Sequence, residues 1–335
     1  MDSTALSRPV TRAAVLLSLV LLVALPGCEP VFQPEIPDPP SELTLVLENP
    51  QWALDSFALR GASPGRLSIL ATHRGGPAHA VRCAIFGDAN AASCGYASCL
   101  PDSETWGSEA GMALSALDAS WRGDLVAFQG TRERESPYVY LYDLASGGLR
   151  PWVVGLEPCF APDGRVIYVS TDRHSLLSFD PDRAGSGVER SGIAAVMNPA
   201  VSPDGRYIAY SAKDHVDDRR IFVHDRQDPR LYLPVSFGDH YINSVESMDG
   251  EDDDCPAWSP GGRYIAFRSR LREDLGREAI FVTRPVAGAT PVRIAMVADN
   301  EHITQLSWEE SGERILAVVD GKLSAAPVPA RFQDR

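Results

Sequence analysis

Short apolar runs separated by turn residues recur from about residue 43 to residue 328. Two of them are nearly the same: Val-Ser-Pro-Asp-Gly-Arg-Tyr-Ile-Ala-Tyr at 201–210 and Trp-Ser-Pro-Gly-Gly-Arg-Tyr-Ile-Ala-Phe at 258–267. Phe160–Tyr168 is a third copy, and Trp308–Leu316 a fourth with Glu310-Ser311-Gly312 in the turn. Trp121–Phe128 reads as a fifth with a shortened turn, and Ser63–Leu70 is the weakest. Anchored on Gly65, Gly123, Gly164, Gly205, Gly262 and Gly312, the spacings are 58, 41, 41, 57 and 50 residues. In the turn, Pro presets φ, Asp bonds back to the backbone and Gly supplies positive φ. The run that follows alternates or is aromatic-rich, as half-buried strands require.

Further strand-like runs follow each turn. Tyr138–Asp143, Ser175–Asp180, Arg220–Asp225 and Ala279–Thr283 come second, and Pro151–Val154, Leu231–Val235 and Pro291–Met296 come third. A second periodicity precedes the turns: Asn49-Pro50-Gln51-Trp52, Glu157-Pro158-Cys159-Phe160, Asn198-Pro199-Ala200-Val201 and Cys255-Pro256-Ala257-Trp258. Four strands every ~40–45 residues are the signature of a β-propeller blade. The expected fold is all-β: a propeller of six four-stranded blades over residues 43–330, with 331–335 as a C-terminal tail. The last unit has three visible strands, so the orphan run Ser41–Leu47 is expected to supply its fourth and close the ring.

The repeated [Trp/Phe/Val]-Ser-Pro-Asp-Gly-Arg-x-Ile-Ala-[Phe/Tyr] element resembles the WD-like propeller repeat of TolB and its relatives. That resemblance implies a six-bladed propeller of the cell envelope that binds proteins. TolB carries an α/β domain before its propeller, whereas about twenty residues separate Cys28 from the first unit here. A stand-alone propeller is therefore expected, and a role in the Tol–Pal system is not implied.

The N-terminus carries a different pattern. Arg8 and Arg12 precede the apolar run Ala13–Leu25. This run is too short for a membrane-spanning helix of ~20 residues and suits the core of an export signal. Leu25-Pro26-Gly27-Cys28 resembles the bacterial lipobox, with Pro26 departing from the small or branched residue usual there. Residues 1–27 are read as a lipoprotein signal, and 28–42 as lipidated Cys28 plus a proline-rich tether. Acyl chains on Cys28 contribute ~0.8 kcal/mol per buried CH₂ toward anchoring. Glu29 stands where an Asp would resemble an inner-membrane retention signal, so the expected location is the outer membrane, facing periplasm or cell surface.

Charge removes some partners. The chain has 31 Lys+Arg against 45 Asp+Glu, a net charge of −14. Removing 1–27 takes away Asp2, Arg8 and Arg12 and makes it −15. Sequence-independent nucleic-acid binding needs a basic surface and is not expected. The two long intervals fall at Asp88–Gly111 and Phe237–Asp254. Both precede the inner strand of a unit, so both are expected on one face of the disc, opposite each other across the channel mouth. His240, Tyr241, Asp249, Glu251, Asp252, Asp253 and Asp254 form the candidate binding face. Such a run of acids is usually solvated loop surface, but Asp249, Asp252 and Asp254 carry the hard oxygens that Ca²⁺ takes.

Other chemistry is sparse. Besides Cys28 there are five cysteines, and Cys94 pairs in an exported protein with either Cys99 or Cys83. Cys-x₄-Cys is not a zinc spacing. Gly61-Ala62-Ser63-Pro64-Gly65 matches the hydrolase nucleophile elbow, but that motif needs a helix after it, and a strand-like run follows. The turn acids Asp163 and Asp204 are read as structural. The expected function is a non-catalytic, monomeric module that binds envelope proteins. The alternative is a propeller enzyme or glycan-binding protein that uses the channel mouth.

Overall fold

The computed structural model describes residues 41–47, the strand backbones within 53–97 and, with short breaks, residues 112–334. Strands β1 (Ser41–Glu42) and β2 (Thr44–Leu47) come first. Strands β3 (Ala53–Ser63), β4 (Arg66–Arg74), β5 (Ala80–Gly87) and β6 (Gly95–Ala97) pair in sequence order as the N-terminal sheet. Blade A is β7 (Met112–Ala119), β8 (Leu125–Arg132), β9 (Tyr138–Asp143) and β10 (Leu149–Val154). Blade B is β11 (Leu156–Phe160), β12 (Val166–Val169), β13 (Ser175–Phe179) and β14 (Ser186–Ser191). Blade C is β15 (Ala194–Val201), β16 (Tyr207–Lys213), β17 (Arg219–Asp225) and β18 (Tyr232–Pro234). Blade D is β19 (Asp254–Trp258), β20 (Ile265–Arg270), β21 (Glu278–Thr283) and β22 (Val292–Met296). Blade E is β23 (Ile303–Trp308), β24 (Arg314–Val319) and β25 (Lys322–Pro327), joined by β2.

The fold is an all-β propeller of four-stranded blades, and its only described helical piece is a 3-10 turn at Ala330–Phe332. Six blades are expected from the sequence. Five, A to E, are described down to their side chains, and the N-terminal sheet by its backbone pairing. Inner strands β7, β11, β15, β19 and β23 succeed one another around the ring, and β3 lies beside both β7 and β23.

The core lies between sheets. Ile208, Tyr210 and Phe222 of blade C pack on Leu156, Ile167 and Leu176 of blade B, and Ile280 and Ile294 of blade D on Trp308 and Ile315 of blade E. Second strands are covered on both faces, so Val-Ile-Tyr-Val of β12 is buried throughout. Each such side chain stabilises the fold by roughly 1.5–3 kcal/mol relative to exposure.

The run at 41–47 behaves differently from a single strand. Thr44–Leu47 pairs antiparallel with β25 as the fourth strand of blade E, but Ser41–Glu42 pairs parallel with β22 of blade D. Leu43, between the two, packs against the core shared by blades D and E. One segment thus ties two outer edges. The polar outer strand β14 (Ser-Gly-Val-Glu-Arg-Ser) was not legible as a strand, because an exposed blade edge asks for no apolar face.

The repeated turns interlock. Ser120, Ser202 and Ser259 each accept, through Oγ, the amide five residues on, at 3.0, 2.8 and 3.1 Å. This equivalence corrects the unit read as Trp121–Phe128: Ser120 is its turn serine, and Trp121 occupies the proline position. The order Ser-Trp-Arg misled because tryptophan elsewhere marks the end of an inner strand. Gly205 and Gly262 have φ of 74° and 71°, and a Cβ there would meet Pro162 and Pro203 of the preceding blade at 3.6 and 3.5 Å. Each proline therefore leans on the next turn's glycine.

Strand direction defines two faces. These turns lie on one, the turn face, while the connections into the inner strands lie on the other, the loop face. The end of β18 at Pro234 and the start of β19 at Asp254 lie on the loop face. Of the interval 88–111 only the backbone of β6 (Gly95–Ala97), paired with β5, is described, so its expected place on one face lies outside the described residues.

Candidate functional site

On the loop face, each inner strand begins with an irregularity. The register shifts between Ser115 and Asp118, Leu156 and Cys159, Met197 and Ala200, and Asp254 and Ala257. Within these bulges Ala116, Glu157, Asn198 and Cys255 have φ of 48°, 48°, 48° and 54°. In three of the four the next residue is proline, which disfavours the α region for its predecessor and has no N–H to pair. The bulge frees the inner edge of the strand, and its amides need other acceptors.

Side chains of neighbouring blades supply them. Gln129 Oε1 of blade A accepts the Glu157 amide of blade B at 3.2 Å, and Glu157 Oε2 accepts the Asn198 amide of blade C at 2.6 Å. Asn198 Nδ2 donates to Asp254 Oδ1 of blade D at 2.8 Å, and the Cys255 thiol donates to the Thr304 carbonyl of blade E at 3.3 Å. Asp118 adds a further link, accepting the Phe160 amide at 2.7 Å. A polar belt therefore runs from β8 of blade A through four successive inner strands, β11, β15, β19 and β23.

Arginines fix the belt's acids. Glu157 Oε1 takes Arg173 Nη2 at 2.8 Å, and Asp254 Oδ2 takes Arg268 Nη2 at 3.2 Å. Arg268 also faces Glu278 at 3.4 Å, whose other oxygen accepts the Ile303 amide at 2.6 Å. Only Lys213 and Lys322 are lysines, so the cations here are planar guanidinium forks suited to carboxylates. Both oxygens of Glu157 and of Asp254 are occupied. Each of these carboxylates thus bonds at once to a neighbouring blade and to an arginine.

The acidic run is resolved in its last three residues, and they are not a solvated face. Asp252 is half-buried, while Asp253 and Asp254 are 2% and 6% exposed. They turn to different arginines: Asp254 to Arg268, and Asp253 to Arg220 at 3.6 Å. Arg220, buried in blade C, also meets Asp218 at 2.9 Å and Asp214 at 3.9 Å. Asp253 and Asp254 therefore face different partners; of the Ca²⁺ set Asp249, Asp252 and Asp254, Asp249 lies outside the described residues. Among the described residues no group of three or more His, Cys, Asp or Glu is placed to hold a metal ion. The expectation failed for Asp253 and Asp254 because a charge run looks alike whether it meets water or buried arginines.

Cys28, Cys94, Cys99, His240, Tyr241, Asp249 and Glu251 lie outside the described residues. Cys159 and Cys255 are free and buried, and burial pushes both thiols well above their ordinary range. Burial also raises Asp118 to about 6, against the amides of Phe160 and Ala119 that favour its charge. The Gly61–Gly65 match falls at the β3–β4 hairpin, where Ser63 pairs with Arg66 and a strand follows. Sequence reasoning missed Gln129, Glu157, Asn198 and Arg268. The residue before each inner-strand proline was the available signal.

No family model matches the sequence. Over 185 residues the chain is 25% identical to the uncharacterized peptidase YuxL of Bacillus subtilis, covering 45% of this chain and 28% of that protein. The chain thus spans little more than a quarter of that relative. Among solved structures it is similar to putative TolB from Agrobacterium tumefaciens, with a TM-score of 0.53 and 14% identity over 82% of this chain and 91% of that one. TolB from Acinetobacter baumannii superposes with a TM-score of 0.51 and 15% identity over 73% of this chain and 54% of that one. Kuenenia stuttgartiensis hydrazine synthase gives 0.51 and 12% identity, covering 81% and 75%. At these identities the likeness is one of fold, and the fold is that of the TolB-like propellers.

Proposed function

We propose that this chain is a six-bladed, lipid-anchored propeller of the bacterial envelope that serves as a non-catalytic protein-binding scaffold. Counting the N-terminal sheet as a blade gives the six, with β2 fastening the ring. One observation carries the functional part: the carboxylates at the channel mouth are committed to neighbouring amides and arginines, which makes a stiff frame rather than a reactive site. The proposed contact is the sequence between β18 and β19 that contains His240, Tyr241, Asp249 and Glu251. Residues 1–28 support export and lipidation at Cys28, and among the described residues no helix is long and apolar enough to cross a membrane.

The test is affinity capture from envelope extracts with the full chain and with a variant lacking 237–250. A partner recovered by the first and lost by the second supports the reading. Equal recovery, or turnover of a polysaccharide by purified protein with or without Ca²⁺, overturns it. Radiolabelled palmitate incorporation, lost in Cys28→Ala, checks the anchor separately.

A further inference from the structure

We propose that His224 is an acid-sensitive latch that holds the outer strand of blade C, and the segment leading into residue 237, against blade B. His224 lies in β17, opposite Tyr232 of β18 and Ile208 of β16, on the face of blade C that packs against blade B. It is 0% exposed, and among the described residues neither ring nitrogen makes a hydrogen bond of normal geometry. The main chain of Glu189 reaches the ring and favours its charged form, as do the Glu189 and Asp225 carboxylates, against burial and Arg190.

The charged and titratable surroundings are mixed. β14 contributes Glu189 and Arg190, β17 Asp225 with Arg226 just past its end, β16 Tyr210, and the blade B turn Asp163 and Arg165. The anions that would welcome a protonated imidazole are already engaged. Glu189 holds Arg226 through both oxygens, at 3.1 and 3.3 Å, and Asp225 holds Arg206 at 2.7 Å. Arg190 lies close enough to repel it, stacking 4.2 Å from the ring centroid of Tyr232. Burial first, and Arg190 second, therefore keep His224 neutral and lower its pKa.

What yields in acid is the weakest element nearby. β18 has three residues, pairs only with Phe222–His224, and its Tyr232 is half exposed, as is the preceding Leu231. Val235 and Ser236 continue from it: the Val235 amide donates to the Ile221 carbonyl at 2.9 Å, and Ser236 Oγ accepts the Ile221 amide at 3.1 Å. Charging His224 forces it toward water and separates β18, with Val235 and Ser236, from β17.

The sign follows from linkage. A histidine depressed in the folded state adds stability that is present above its unfolded pKa of 6.5 and lost as pH falls toward the folded value. Between pH 7.5 and 5.5 the opening equilibrium rises by at most about tenfold from this group. Hydrogen exchange of the full chain, corrected for intrinsic rates, reads this in peptides covering 221–236, with 315–327 of blade E as reference. The expected result is a loss of protection in the wild type at pH 5.5, about tenfold at most, that is absent in His224→Phe. An equal pH response in both proteins overturns the latch. If the variant does not fold, the wild-type imidazole titration by NMR decides: a midpoint at or above 6.5 overturns it, and one clearly below supports it.

Discussion

Replacing Asp254 by Ala separates a structural acidic run from a solvated one. The carboxylate is 6% exposed and serves three donors: Asn198 Nδ2 and the Cys255 amide, both at 2.8 Å on Oδ1, and Arg268 Nη2 at 3.2 Å on Oδ2. Removing one partner of a buried pair costs roughly 3–5 kcal/mol, and each buried donor left unsatisfied about 1–3 kcal/mol. Two features reduce that sum. Arg268 keeps Glu278, and its side chain is 19% exposed, so water reaches it. An expected loss of about 3 kcal/mol follows. Urea unfolding at pH 7 should show a lower midpoint at unchanged slope, and a cycle with Arg268→Ala should return a coupling of about 1–2 kcal/mol. Asp252→Ala, at a half-buried position, should cost under about 0.5 kcal/mol. If Asp254→Ala and Asp252→Ala cost the same small amount, the belt does not hold the mouth. If millimolar Ca²⁺ stabilises the wild type and Asp254→Ala removes that effect, the arginine pairing is not the resting state of this residue.

Other outcomes are equally open to measurement. Asp118, raised to about 6 from 3.8, binds its proton more tightly in the folded state, so its contribution to stability falls as pH rises from 3.8 to 6; Asp118→Asn should remove that slope from melting temperatures recorded across this range. Gly205→Ala places a side chain at φ 74° beside Pro162 and should cost about 1–2 kcal/mol in denaturant titrations. Phe332→Ala removes an edge-on contact with Tyr264, whose hydroxyl holds the Arg331 carbonyl at 3.0 Å, and should destabilise by about 1–3 kcal/mol in the same assay. Cys159 and Cys255 should resist a soluble thiol reagent until the chain unfolds, with modification mapped by peptide mass; rapid labelling of either in native protein would contradict their burial.

The strand–turn–strand repeat was legible because its chemistry is local. Pro203, Asp204 and Gly205 are chosen by backbone angles within four residues, and Tyr207–Tyr210 by a pleated, covered surface, so any copy can be read without its neighbours. Ring closure by Thr44–Leu47 was legible for a related reason: a three-stranded last unit needs a fourth strand. What tertiary structure alone decided lies between blades. Glu157 meets an amide 41 residues away, and Asn198 a carboxylate 56 residues away. No local pattern encodes such partners, since a glutamate before a proline has the same propensities in water as in a belt. For the same reason Asp253 and Asp254 read as solvated charge until Arg220 and Arg268 were found opposite them. Trp121 passed for the end of an inner strand until the amide of Leu125 identified Ser120 as the turn residue. Sequence by itself determined the blades, because each is a short-range solution to backbone geometry and burial. Only the folded ring decided which polar groups face each other, because that depends on how successive sheets pack around one axis.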